Sequence, residues 1–158
     1  ATKVENTEVT GNLTNNGIAN YDDMTIKDGG VSDNKVYEKG DIKTVGEGGT
    51  HKNSGISIWN EIKIGGGDFE NTGKTDTDKL IIDDGKVEIG GGELNAKDTD
   101  LNGGDLVIGN DKPLADENKA QVELKTDKPI DTNIYVKNNG DLGLGEDALE
   151  FADVVQAL

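Results

Sequence analysis

The chain has no cysteine, no arginine, two prolines and 4% aromatic residues in 158 positions. Without cysteine there are no disulfides, no thiolate metal sites and no thiol nucleophile. Its cations are 16 lysines against 32 acidic residues, a net charge of −16. Such a chain repels phosphate, so nucleic acid is not an expected partner. Anionic lipid surfaces are disfavoured for the same reason. No apolar run approaches the ~20 residues of a membrane-spanning helix, so this segment is not expected to insert. Hydrophobic residues make up 32%, too few for an ordinary globular core to offset chain entropy. Low hydrophobicity with high net charge is also the composition of disorder. A regular repeat argues against that here.

Eight aliphatic anchors, Val9, Ile26, Val45, Ile64, Ile89, Ile108, Leu124 and Leu144, follow one another at intervals of 17, 19, 19, 25, 19, 16 and 20 residues. Each precedes a turn rich in glycine, asparagine or aspartate, and short alternating segments lie between. A period near 19 with such corners predicts a parallel β-solenoid of about eight short rungs, an all-β fold that needs only a thin core per turn. At the spacing of hydrogen-bonded strands it is a rod roughly 35–40 Å long. The solenoid is expected over residues 1–146.

Within the repeat, alternation from Ile56 to Ile64 places Ile56, Ile58, Ile62 and Ile64 inward and Ser57, Trp59, Glu61 and Lys63 outward. On that register Trp59 is dispensable for folding. Val87 and Ile89 also face inward. Gly65-Gly66-Gly67 and Gly90-Gly91-Gly92 read as corners needing positive φ. They do not read as phosphate loops, because acidic residues rather than Gly-Lys-Ser/Thr follow. Asn15, Asn34 and Asn53 lie 19 apart with Asn71 one short of the next step, a pattern that stacks carboxamides at one corner. The 25-residue interval predicts an inserted loop at residues 71–78. Phe151, Val154, Val155 and Leu158 recur at helical spacing behind Asp147 and Glu150, a capping-box pattern. They predict an amphipathic helix over 147–158 that caps the last rung or docks on a neighbour.

Candidate chemistry is sparse. Asp98, Asp100 and Asn102 with Gly103 match the first half of an EF-hand calcium loop. Its twelfth position is Gly109, so Asp105 or Asp111 must supply the missing acid. His51, the one histidine, cannot build a histidine zinc site and is expected in a solvated corner. Asp83, Asp84, Asp98 and Asp100 are the carboxylates a polysaccharide-cleaving β-helix would use, but nothing distinguishes them from surface acids. An outward Trp59, flanked by Glu61 and Lys63, is a ready anchor for a sugar ring or a protein.

The segments GNLTNNGIAN, SGISIWNEIKIGGGDFENTG and KVEIGGGELNAKDTDLNGGDLVIG resemble passenger regions of bacterial autotransporters and related filamentous adhesins, over most of residues 4–146. The resemblance implies a right-handed parallel β-helix, secretion and display at the bacterial surface. The role it implies is a non-enzymatic adhesive or structural rod, with host or matrix protein, glycan or its own copies as partners. A self-assembling filament or surface-layer subunit is the alternative, and a polysaccharide-active enzyme a third. No β-barrel translocator and no catalytic module is recognisable in this chain.

Overall fold

The computed structural model describes residues 2–112 and 119–145. Fourteen strands lie among them. The first seven are β1 (Thr2–Val9), β2 (Asn12–Asn15), β3 (Ile18–Ile26), β4 (Val31–Asn34), β5 (Tyr37–Gly46), β6 (Thr50–Asn53) and β7 (Ile56–Asn71). The others are β8 (Lys74–Ile89), β9 (Gly92–Ala96), β10 (Thr99–Leu101), β11 (Asp105–Ile108), β12 (Ala120–Lys125), β13 (Asn133–Val136) and β14 (Gly140–Gly145). All belong to one sheet, every pairing is parallel, and the sheet coils into a β-solenoid of about seven turns. No helix occurs among the described residues. The expected helix over 147–158, with Phe151, Val154, Val155 and Leu158, lies outside them.

Three walls enclose the lumen. The first contains residues 18–21, 37–40, 56–59, 74–77 and 93–96, and the second contains residues 23–26, 42–45, 61–64 and 79–82. The third runs through 12–15, 31–34, 50–53, 68–71, 86–89, 105–108 and 133–136. Partners along the third wall are 19, 19, 18, 18, 19 and 28 residues apart. The longer step lies between Ile108 and Ala120.

That step corrects the loop expected at 71–78. Residues 74–77 are strand, paired with 56–59 at ordinary one-turn spacing. The anchors had changed wall. Val9, Ile26, Val45 and Ile64 stack on the second wall, whereas Ile89 and Ile108 belong to the third and Leu124 and Leu144 to the first. The interval from Ile64 to Ile89 is therefore one full turn plus one wall, with no insertion.

A second correction concerns the strand from Ile56 to Ile64. Ser57 and Trp59 point inward, Asn60 and Glu61 both point outward, and Ile62 and Ile64 point inward again. The chain turns a corner at Asn60-Glu61, and two consecutive outward residues reset the alternation. Ile56 is thus exposed and Ile58 only partly covered, while Trp59 is 1% exposed.

Space for the indole comes from Gly40, its partner one turn earlier. A Cβ on Gly40 would stand 2.2 Å from the Trp59 ring. Across that gap Trp59 stacks on Tyr21, with centroids 6.0 Å apart and planes 16° from parallel. Gly49 is needed for a different reason: a Cβ there would meet the Ile26 carbonyl of the previous turn at 2.2 Å. Of the two triple-glycine corners, Gly66 and Gly92 adopt positive φ.

The asparagine ladder forms as expected. Asn15 Nδ2 donates to Asn34 Oδ1, Asn34 to Asn53 and Asn53 to Asn71, each at 2.8 Å. Beyond Asn71 the same column continues as Ile89 and Ile108, fully buried. The rest of the inner core is largely aliphatic, from Met24 and Ile26 to Leu124, with the aromatic rings of Tyr21, Trp59 and Phe69 and a few buried polar and charged side chains among them.

Trp59→Ala should lower unfolding stability by about 3–5 kcal/mol. Ile64→Asp should prevent folding. Urea denaturation followed by circular dichroism checks both, and a Trp59→Ala variant of wild-type stability would contradict this register.

Candidate functional site

The main concentration of ionisable groups inside the solenoid is at the turn spanning residues 37–53. One comes from each wall: Glu38 from the first, Lys43 from the second and His51 from the third. They are 1%, 0% and 0% exposed. Their inward aim follows from column parity. His51 lies two residues before the ladder member Asn53, and Lys43 two before the core residue Val45. Glu38 is stacked between Ala19 and Ser57. His51 is therefore a lumen residue and not the solvated corner residue its glycine-rich surroundings suggest.

Lys43 Nζ donates to Glu38 Oε2 and lies 2.9 and 3.0 Å from His51 Nδ1 and Nε2. Glu38 Oε2 also accepts from Ser57 Oγ at 2.6 Å and from Trp59 Nε1 at 3.1 Å. Lys43 Nζ sits 4.6 Å from the centre of the Trp59 ring, a cation–π contact. His51 packs against Phe69, centroids 5.1 Å apart. At neutral pH a carboxylate, an ammonium and a neutral imidazole satisfy one another with no net charge, as a buried ion pair requires.

Burial alone pushes the Glu38 carboxyl up. The charges of Lys43 and His51 and the hydrogen bonds from Lys43 and Ser57 outweigh it and hold the group at about 2. Burial lowers Lys43 to about 8 against the pull of Glu38. Burial, then the adjacent Lys43 charge, lowers His51 to about 3. All three lie below the free-group values of 4.5, 10.5 and 6.5, so unfolding takes up protons and stability rises with pH. The Glu38 contribution is present above pH 4.5 and lost as pH falls through 2. The His51 penalty accumulates between pH 6.5 and 3, and the Lys43 term rises between 8 and 10.5.

The residues singled out in the sequence are not gathered with this cluster. Asp98 faces Lys79 at 3.6 Å. Asp100 engages Lys79 at 3.3 Å and Lys128 at 2.8 Å, and the Lys128 hydrogen bond lowers its pKa first of all. Asn102 donates to Asp83, and Asp105, on the third wall, accepts from its register partner Asn133. Asp84 caps the Gly85 amide. Among the described residues no three histidine or acidic groups converge as a metal site, so Asp98, Asp100, Asn102 and Asp105 are not brought together. Glu61 and Lys63 do face outward, but without Trp59.

The outer side of the first wall carries a different feature. Ile18, Tyr37 and Ile56 stack in one outward column, with Ile18 57% and Ile56 42% exposed. Val36, beside them, is also exposed. Next to the column an open groove of about 350 Å³ runs past Ile58, Asn60, Asp76, Asp78, Asn95 and Lys97. Alternation from Ile56 hid part of this surface by assigning Ile56 and Ile58 to the core.

Lys43→Met leaves Glu38 charged and unpaired and should cost about 3–5 kcal/mol at pH 7. Adding Glu38→Gln should recover much of that loss in urea denaturation, and no recovery would contradict the pairing. Calcium or a chelator should leave the melting temperature unchanged, because the Asp98 and Asp100 carboxylates already face lysines. No protein-family model, curated protein or solved structure matches this chain.

Proposed function

We propose that the chain is a non-enzymatic adhesive or structural rod, secreted or displayed at a bacterial surface, that binds host or matrix protein or glycan along its first wall. The observation carrying this reading is the outward Ile18–Tyr37–Ile56 column beside an open groove. Apolar side chains presented in line on a flat wall are what an extended contact surface offers. Binding on such a wall comes from many modest contacts and not from one enclosed pocket. Eight strands at ~4.8 Å spacing give the wall a length of roughly 35 Å, enough for several residues of a partner chain or several sugar rings. A right-handed winding and a terminal cap over 147–158 belong to the same reading, since parallel crossovers are overwhelmingly right-handed.

Self-association is the second reading. β1 and β2 each pair on one side, with β3 and β4. The lumen mouth between them, about 460 Å³, is lined by Val4, Leu13 and Ile18 among others. An apolar mouth bordered by strand edges favours end-on contact with another copy.

Immobilised collagen, immobilised fibronectin and a glycan array are the probes for adhesion. Ile18→Ser/Ile56→Ser, exposed positions expected to change stability by less than about 0.5 kcal/mol each, should weaken any binding observed at least tenfold. Unchanged binding would move the surface elsewhere, and no binding to any probe would defeat the adhesive reading. Sedimentation across a concentration series separates the two readings, because end-on assembly produces concentration-dependent growth.

A further inference from the structure

We propose that the Glu38–Lys43–His51 layer is an acid-operated release point, at which the solenoid opens first when protons enter the range that titrates free imidazole and carboxyl groups. The geometry carries the argument. Three ionisable side chains, one from each wall of a single turn, meet in a sealed lumen. β5 brings Glu38 and Lys43, β6 brings His51, and β3 brings the Tyr21 phenol, which feels the Glu38 charge. The neighbouring turns supply Met24, Ser32, Ser57, Trp59, Ile62 and Phe69, none of them acidic or basic. Among the described residues no other acidic or basic side chain is buried.

Protonating either His51 or Glu38 therefore raises the net charge of the layer by one: an imidazolium must share the single carboxylate with Lys43, and a neutral carboxyl leaves the Lys43 ammonium unpaired. Charge of that kind is tolerated only when water enters. Opening the turn admits water and lets both groups take up their protons. Each proton gained on opening shifts the equilibrium tenfold per pH unit. His51 supplies one such proton below pH 6.5 and Glu38 a second below 4.5. Among the described residues beyond Ile82 the buried side chains are aliphatic, threonine or asparagine, with no acidic or basic member.

His51 is the single histidine, so its ring resonances are unambiguous. In the folded protein they should not titrate between pH 8 and 5, and a midpoint near the ordinary imidazole value would overturn the proposal. Hydrogen exchange, corrected for intrinsic rates, should show opening of residues 18–59 rising at least tenfold between pH 7 and 5, with a smaller change over residues 86–108. A uniform change along the chain would also overturn it. His51→Gln should flatten the acid dependence of residues 18–59, and Glu38→Leu/Lys43→Met/His51→Phe should flatten it further. If the triple variant fails to fold at pH 7, the wild-type ring titration and exchange map decide alone.

Discussion

Parallel hydrogen bonding from each turn to the next is the constraint on which the rest depends. It fixes each inward side chain directly over its partner one turn earlier, 18 or 19 residues back through most of the solenoid, so burial is decided by column and not by residue type. A column accepts whatever fills it consistently. Carboxamides that pass one hydrogen bond along the axis do so in the first four turns, and aliphatic groups do so beyond Asn71. Large and small residues must alternate between turns when a ring is too big for its layer. Gly40, between Tyr21 and Trp59, is the clearest case.

The charged layer is the departure from this economy. Replacing a buried ion pair by well-packed apolar groups is often neutral or stabilising, whereas removing one partner is not. Glu38, Lys43 and His51 hold because each arrives from a different wall and because Ser57 and Trp59 complete the coordination of the carboxylate. The layer is then tolerated as a neutral unit at the pH where all its members are satisfied. Its neighbours above and below, Phe69, Ile62 and Met24, seal it from water and so raise the penalty for any change in its charge.

The repeat and its parallel architecture were legible because the second-wall anchors Val9, Ile26, Val45 and Ile64 recur at one-turn spacing. The asparagine ladder was legible for the same reason. Wall identity was not. Corners place two consecutive residues outward, as at Asn60-Glu61, and that silent reset turned Trp59 outward and Ile56 inward on paper. Parity counted back from Asn53 instead of forward from Ile56 would have put His51 in the lumen. Glu38 and Lys43 lay beyond reach of any linear pattern. A buried charge is intelligible only once its partner is known to face it across the lumen.

Because the bonds between turns run along the axis, tension applied to the two ends of the rod loads them one row at a time. A turn that peels away frees 18 or 19 residues, about 60 Å of chain in exchange for ~4.8 Å of rod. The molecule thus carries hidden length. It yields in steps under pull, dissipating work at each step, and rewinds on neighbours that still present the correct edge.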